Sequence, residues 1–176
     1  TEADTGMSRI ETDDVQLSME PVALNTISAD CFPMVVTKAS EMDITLIDVQ
    51  GSGYGAVIQA DKIRLRQVII NFLSNAIKYN RLHGTVTLEC TIKDTAVRIA
   101  VADTGTGIPA KLQSRLFTPF DRLGKENGPI EGTGIGLLIA KRIVEAMDGR
   151  MGFESIEGQG STFWVEFPIL TMGKTA

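Results

Sequence analysis

Only two cysteines occur in the sequence, Cys31 and Cys90, far apart and without C-x-x-C spacing. Both sit inside otherwise apolar segments, so reduced core thiols are expected rather than a disulfide or a metal knuckle. No apolar stretch approaches the roughly 18 residues that span a bilayer, and the first residues lack the basic-then-apolar layout of a secretory leader. A soluble, cytoplasmic piece is the expectation. Positive charge is also short: the net charge is −5, so the whole-molecule field repels nucleic acid and anionic membrane. Any phosphate ligand must be held locally, by backbone N–H groups, a metal ion or a few basic side chains. Repeats and low-complexity tracts are missing too. What is present is 176 residues, 43% hydrophobic and 22% charged, enough for one globular domain with its own core.

The pattern predicts a short strand at 15–18 and then a helix from Val22 to about Met42, kinked or broken near Pro33. A strand at Ile44–Val49, a Gly51–Gly55 loop and an extended Ala56–Gln59 follow. Asp61 stands where an N-cap belongs, ahead of the strongest helix, Lys62 to Asn80. Thr85–Lys93 and Ala96–Asp103, joined by Asp94-Thr95, read as an antiparallel hairpin. Residues 104–133 are rich in Gly, Pro and charge, with a short helix around Lys111–Leu116. A helix over Gly134–Met147 ends at Asp148-Gly149, and strands at Met151–Ser155 and Ser161–Ile169 close the chain. Hairpins outnumber crossovers, which predicts an α/β two-layer sandwich: a mixed, largely antiparallel sheet with helices on one face. Residues 1–13 read as a linker, 14–170 as the domain and 171–176 as a tail.

Three places carry candidate chemistry. On the long helix Arg64, Gln67, Asn71, Asn75 and Lys78 share a narrow stripe opposite Leu65, Val68, Ile69, Phe72, Leu73 and Ala76. Such a stripe is ordinarily a solvated surface. Two asparagines four apart are harder to explain that way, since Asn is a poor helix former with nothing to cap in mid-helix, and an amide oxygen is a hard ligand suited to Mg²⁺. Second, Asp103-Thr104-Gly105-Thr106-Gly107-Ile108 follows an apolar strand directly; it reads equally as a turn and as a fixed carboxylate whose glycines admit a flat ligand. Third, Gly132-Thr133-Gly134-Ile135-Gly136-Leu137 opens a helix and could hold an anion. Its G-x-G-x-G spacing and missing preceding strand exclude the dinucleotide fingerprint, and no Gly-Lys-Ser/Thr follows to make a phosphate loop of the Walker type.

In order, the Asn-bearing helix, Asp-x-Gly-x-Gly, Phe117-Thr-Pro-Phe120, Gly-x-Gly-x-Gly and Gly158-Gln-Gly160-Ser-Thr162-Phe resemble the superfamily of histidine kinases, DNA gyrase, Hsp90 and MutL, over residues 61–168. Asn71-Phe-Leu-Ser-Asn75-Ala-Ile-Lys78-Tyr79 is similar to the N box of bacterial sensor histidine kinases, and Phe117–Phe120 to their F box. The resemblance implies the Bergerat ATP-binding fold with Mg²⁺ and ATP. By that likeness Asn75 would hold Mg²⁺, and Asn71, Lys78 and Tyr79 would line the nucleotide. Asp103 would accept from the adenine amino group, Thr162 would support that contact, and Gly105, Gly107, Ile108 and Phe120 would flank the base. Gly132, Thr133, Gly134, Ile135, Gly136 and Leu137 would frame the phosphates, and Arg122 or Lys125 would neutralise the γ-phosphate.

Superfamily members that hydrolyse ATP carry Glu four residues before the magnesium Asn; here that position is Asn71, whose carboxamide cannot serve as a general base. Kinase is therefore favoured over an ATPase clamp, with a non-catalytic nucleotide-binding module as a further alternative. His83, the only histidine, lies in a loop without an acidic neighbour and reads as a surface residue, not an acceptor. Ser8-Arg9-Ile10-Glu11 resembles the end of the helix leaving a dimerisation and phosphoacceptor domain. That implies a homodimeric parent, membrane-tethered or free, a monomeric fragment, and a response regulator receiver domain as the onward partner. Residues 121–131, with Gly124, Gly128 and few aliphatic anchors, are expected to act as a lid. Trypsin cleavage after Arg122 and Lys125 should slow with a non-hydrolysable ATP analogue and less with ADP; equal cleavage with and without the analogue would contradict a closing lid.

Overall fold

The computed structural model describes residues 16–117 and 133–173. The lid segment, and with it Phe120, Arg122, Lys125 and Gly132, lies outside the described residues, as do the side chains of Thr133, Gly134 and Ile135. The chain begins with β1 (Met19–Ala23), two short helices α1 (Ile27–Cys31) and α2 (Val36–Glu41), β2 (Thr45–Val49) and β3 (Ala56–Asp61). The long helix α3 (Lys62–Lys78) leads to the hairpin β4 (Thr85–Lys93) and β5 (Ala96–Asp103), then to the four-residue α4 (Ala110–Gln113). Helix α5 (Thr133–Ala146) and strands β6 (Arg150–Ile156), β7 (Gly160–Pro168) and β8 (Thr171–Met172) complete it.

Five strands form the main sheet in the order β2-β4-β5-β7-β6, antiparallel throughout except for the parallel β2–β4 pair. A second, three-stranded sheet has the order β1-β3-β8. The expected mixed, largely antiparallel architecture with helices on one face is present, divided between two sheets. Alternation decides what each face of the main sheet does. Val86, Leu88, Val97, Ile99, Val101, Val165 and Phe167 are buried toward the helices, where α3 supplies Leu65, Val68, Ile69, Phe72, Leu73, Ala76 and Ile77. The face opposite carries Thr87, Glu89, Arg98, Trp164 and Glu166. Both cysteines are buried free thiols, pushed up to about 11 at Cys31 and about 12 at Cys90, chiefly by burial, and are therefore unreactive.

Several boundaries differ from the sequence reading, among them the early helix, which starts at Ile27 and not at Val22 because Val22 and Ala23 belong to β1. The first strand is Met19–Ala23 rather than 15–18, because Pro21 is tolerated on an edge strand, and β1 is one. Part of the supposed tail, Thr171–Met172, pairs with Ala56–Val57, a two-residue strand too short to show any period. Pro33 breaks the early helix as expected, sitting in a 3-10 turn at Phe32–Met34 between α1 and α2. Asp61 caps α3: its Oδ1 accepts from the Arg64 N–H at 3.0 Å and its Oδ2 from the Ser18 N–H at 2.8 Å. Burial alone would raise the Asp61 carboxyl, yet these backbone donors hold it below its ordinary value. Just past the end of helix α5, Asp148 turns to φ +65°, which lets the Gly149 N–H reach the Val144 carbonyl at 2.9 Å.

Glu166 is 5% exposed and receives Arg98 Nε at 2.7 Å from β5 and Arg150 from β6. Arg98 in turn lies 3.9 Å from the centroid of the Trp164 ring. Burial pushes the Glu166 carboxyl up, but the two guanidinium groups outweigh it and keep it below its ordinary 4.5. A carboxylate depressed by folding stabilises above 4.5 and loses that contribution as pH falls through its folded value. Glu166→Gln should cost about 1.5–3 kcal/mol at pH 7, the worth of bonds to a charged group. Thermal melts should show the two proteins converging as pH drops below that ordinary value; an equal deficit at neutral and acid pH would contradict the assignment.

Candidate functional site

Between α3, the loop after β5 and the start of β7 lies a cavity of about 330 Å³. Its walls are mostly apolar, from Ala76, Ile108, Pro109, Leu112, Leu116, Leu137 and Phe163, with Asn75, Tyr79, Asp103, Thr106, Glu157 and Ser161 as the polar lining. Asp103 ends β5, half-buried, where strand pairing gives way to the glycine loop. Its Oδ1 accepts from the Gly105 N–H at 2.8 Å and the Ser161 N–H at 3.2 Å. Among the described residues nothing bonds Oδ2, so one acceptor is fixed and one is open. Burial raises the Asp103 carboxyl above its ordinary 3.8 despite the two N–H groups that favour the charged form.

The glycines of this loop serve the backbone. A Cβ on Gly105 would sit 2.2 Å from the Tyr79 carbonyl oxygen, and Gly107, at φ +69°, would place one 2.2 Å from the Ile156 carbonyl. They let the loop nest against the end of α3 and the β6–β7 turn, which fixes Asp103. Gly107 and Ile108 line the cavity; Gly105 is buried and is not part of its lining. On α3, Asn75 Nδ2 donates to Asn71 Oδ1 at 3.2 Å, orienting the Asn75 amide and leaving its Oδ1 without a partner among the described residues. Asn71 itself borders a smaller recess with Gln67 and Gly136. A Cβ on Gly136 would come 2.6 Å from Asn71 Nδ2, so that glycine admits the amide against α5. Lys78 is exposed on the last turn of α3, outside the cavity lining, and Tyr79 is half-buried at its rim.

Thr162 is not in the cavity. It pairs with Ala102 and Glu154, and alternation puts it on the sheet face away from the helices. Its neighbour Ser161 lines the cavity and holds Asp103 through its N–H. The signal was available: Phe163, Val165 and Phe167 mark the odd-numbered positions of β7 as inward, which includes Ser161. Sequence reasoning also passed over Asn80 and Arg81. Asn80, 7% exposed, donates from Nδ2 to the Thr85 carbonyl at 3.0 Å and accepts from Thr104 Oγ1 at 3.1 Å and from the Arg81 N–H at 2.8 Å. His83 is exposed and 3.0 Å from Asp43, as a surface residue should be. Among the described residues no cluster of three His, Cys, Asp or Glu could hold a metal ion, and no helix is long and apolar enough to cross a membrane.

The family described as histidine kinase-, DNA gyrase B-, and HSP90-like ATPase matches residues 60–171. The circadian input-output histidine kinase CikA of Synechococcus elongatus is 37% identical over 168 residues, 94% of this chain and 22% of that protein. Among solved structures, the nucleotide-free catalytic domain of histidine kinase ThkA superposes with a TM-score of 0.74 at 27% identity, covering 86% of this chain and 96% of that one. Full-length ShkA in complex with AMPPNP gives 0.79 at 32% identity, over 95% of this chain and 34% of that one. The chain belongs to the histidine kinase-, DNA gyrase B-, and HSP90-like ATPase family, and it spans about a fifth of the length of the curated relatives it matches. Its fold is that of a sensor histidine kinase catalytic domain.

The raised Asp103 carboxyl has a consequence for stability. A carboxyl raised by folding stabilises most below 3.8, and that contribution is lost as pH rises through its folded value. At neutral pH the ionised group therefore costs stability. Asp103→Asn keeps an Oδ1 for both N–H groups without the charge, so it should melt at the same or a higher temperature than the natural protein at pH 7. A clear loss of melting temperature would show Asp103 to be a structural residue.

Proposed function

We propose that this domain binds Mg-ATP and delivers the γ-phosphoryl group to a histidine on a separate dimerisation domain of its parent protein, for onward transfer to a response regulator. The observation that carries the reading is the open Oδ2 of Asp103 in a cavity whose walls are mainly apolar. An adenine ring fits such walls, and its amino group is the donor that a carboxylate fixed there would select. Guanine presents an acceptor at that position and is disfavoured. The donor set also fits Mg²⁺ held mainly by phosphate oxygens and water: Asn75 Oδ1 would be its amide ligand, and Asn71, which accepts from Asn75 Nδ2, would keep that amide oriented. When bound, the ion supplies charge neutralisation for in-line transfer. On the family likeness Lys78 and Tyr79 would line the nucleotide, and Arg122 or Lys125 would meet the γ-phosphate.

With Asn71 in place of a carboxylate, that position offers no general base to activate water, whereas a neutral imidazole needs little activation. That favours transfer over hydrolysis. Incubated with radiolabelled ATP, the chain alone should stay unlabelled, and addition of the parent's dimerisation domain should yield acid-labile phosphohistidine on that partner. Label on His83, or steady phosphate release from the chain alone, would contradict the proposal. Asn75→Ala should abolish the Mg²⁺-dependent part of ATP affinity while adenosine binding persists; unchanged magnesium dependence would remove Asn75 from the metal.

A further inference from the structure

Arg81 begins the loop after α3, exposed to solvent, and its side chain turns back across two other loops. Nε donates to the Thr104 carbonyl at 2.7 Å, while Nη2 donates to the Gly105 carbonyl at 3.0 Å and the Gly158 carbonyl at 2.9 Å. The first two carbonyls follow Asp103 directly; the third lies in the turn that leads into Ser161. Asp103 Oδ1 is held by one N–H from each of those two loops, Gly105 and Ser161. The guanidinium thus ties together the two segments whose N–H groups aim the carboxylate. Asn80 sets its starting point by accepting the Arg81 N–H. A planar fork donating to three carbonyl oxygens is a task for Arg and not for Lys, whose ammonium is a single point on a flexible stem.

We infer that Arg81 is a positioning residue for base selectivity, acting through Asp103; the inference rests on the adenine reading proposed above. The two loops remain joined without it, by the Gly158 N–H on the Thr106 carbonyl at 2.7 Å and by Gln113 Nε2 on the carbonyls of Ile108 at 2.9 Å and Ser155 at 3.1 Å. Loss of Arg81 therefore loosens the aim of the carboxylate without dismantling the cavity. Its exposure fits the same role, since a solvated cation contributes little by charge alone and much more by geometry.

Calorimetric titration of the 176-residue chain with ATP and with inosine triphosphate, which offers a carbonyl where adenine has its amino group, provides the test. The natural protein should prefer ATP by at least about tenfold, the worth of a hydrogen bond to a charged group. Arg81→Ala should shrink that preference by about threefold or more, the effect of weakening one such bond. Arg81→Lys, which keeps the charge without the fork, should fall in the same direction by less, and decides the matter if Arg81→Ala does not fold. Equal weakening of both nucleotides with the preference intact leaves only a fold or phosphate role and overturns the inference. A natural protein with no preference for ATP overturns the adenine reading of Asp103 itself, whatever the Arg81 variants do.

Discussion

Everything at the site depends on keeping one carboxylate, Asp103, poorly solvated and correctly aimed. Burial alone opposes its charge, and two backbone N–H groups on a single oxygen are what the fold offers against that cost. Those donors must arrive from different places, one from the loop following β5 and one from the first residues of β7. Strand order supplies this, since β5 and β7 are direct neighbours with Ala102 opposite Thr162. The strand that carries the acid thus lies beside the strand that carries its second donor.

The same requirement explains residue choices that have no direct contact with a ligand. Gly105 and Gly107 are needed because the loop must lie against the carbonyls of Tyr79 and Ile156. Ser155 Oγ accepts the Ile108 N–H at 2.8 Å, and Ser161 Oγ lies 2.7 Å from it, so the β6–β7 hairpin pins the far end of that loop. Helix α3 closes the opposite wall, its apolar face in the core and its asparagine pair bonded along the other side. A resting carboxylate raised in this way is a sign of function set against stability.

Much of this was legible in the sequence because it is local. The Asp61 cap, the α3 stripe, the Asp94-Thr95 hairpin and the Asp148-Gly149 stop each depend on a few adjacent residues, and each is present. The early strand was displaced because Pro21 argues against a strand until the strand is known to be an edge. Thr162 was named from family likeness, although strand parity already marked its neighbour Ser161 as the inward residue. Arg81 was not legible at all: its three acceptors lie 23, 24 and 77 residues away in sequence, and a lone arginine in a polar loop carries no pattern that would reveal a fork closing on carbonyls.

On the proposed function, the open oxygen of Asp103 receives a proton donor from adenine. Carbon-detected NMR titration of the Asp103 carboxyl, with and without saturating ADP, tests it most directly. In the free chain its midpoint should lie above the ordinary 3.8. A donor on the open oxygen favours the charged form, so ADP should move the midpoint down. A midpoint unchanged by ADP, or raised further by burial under the base, would contradict the account.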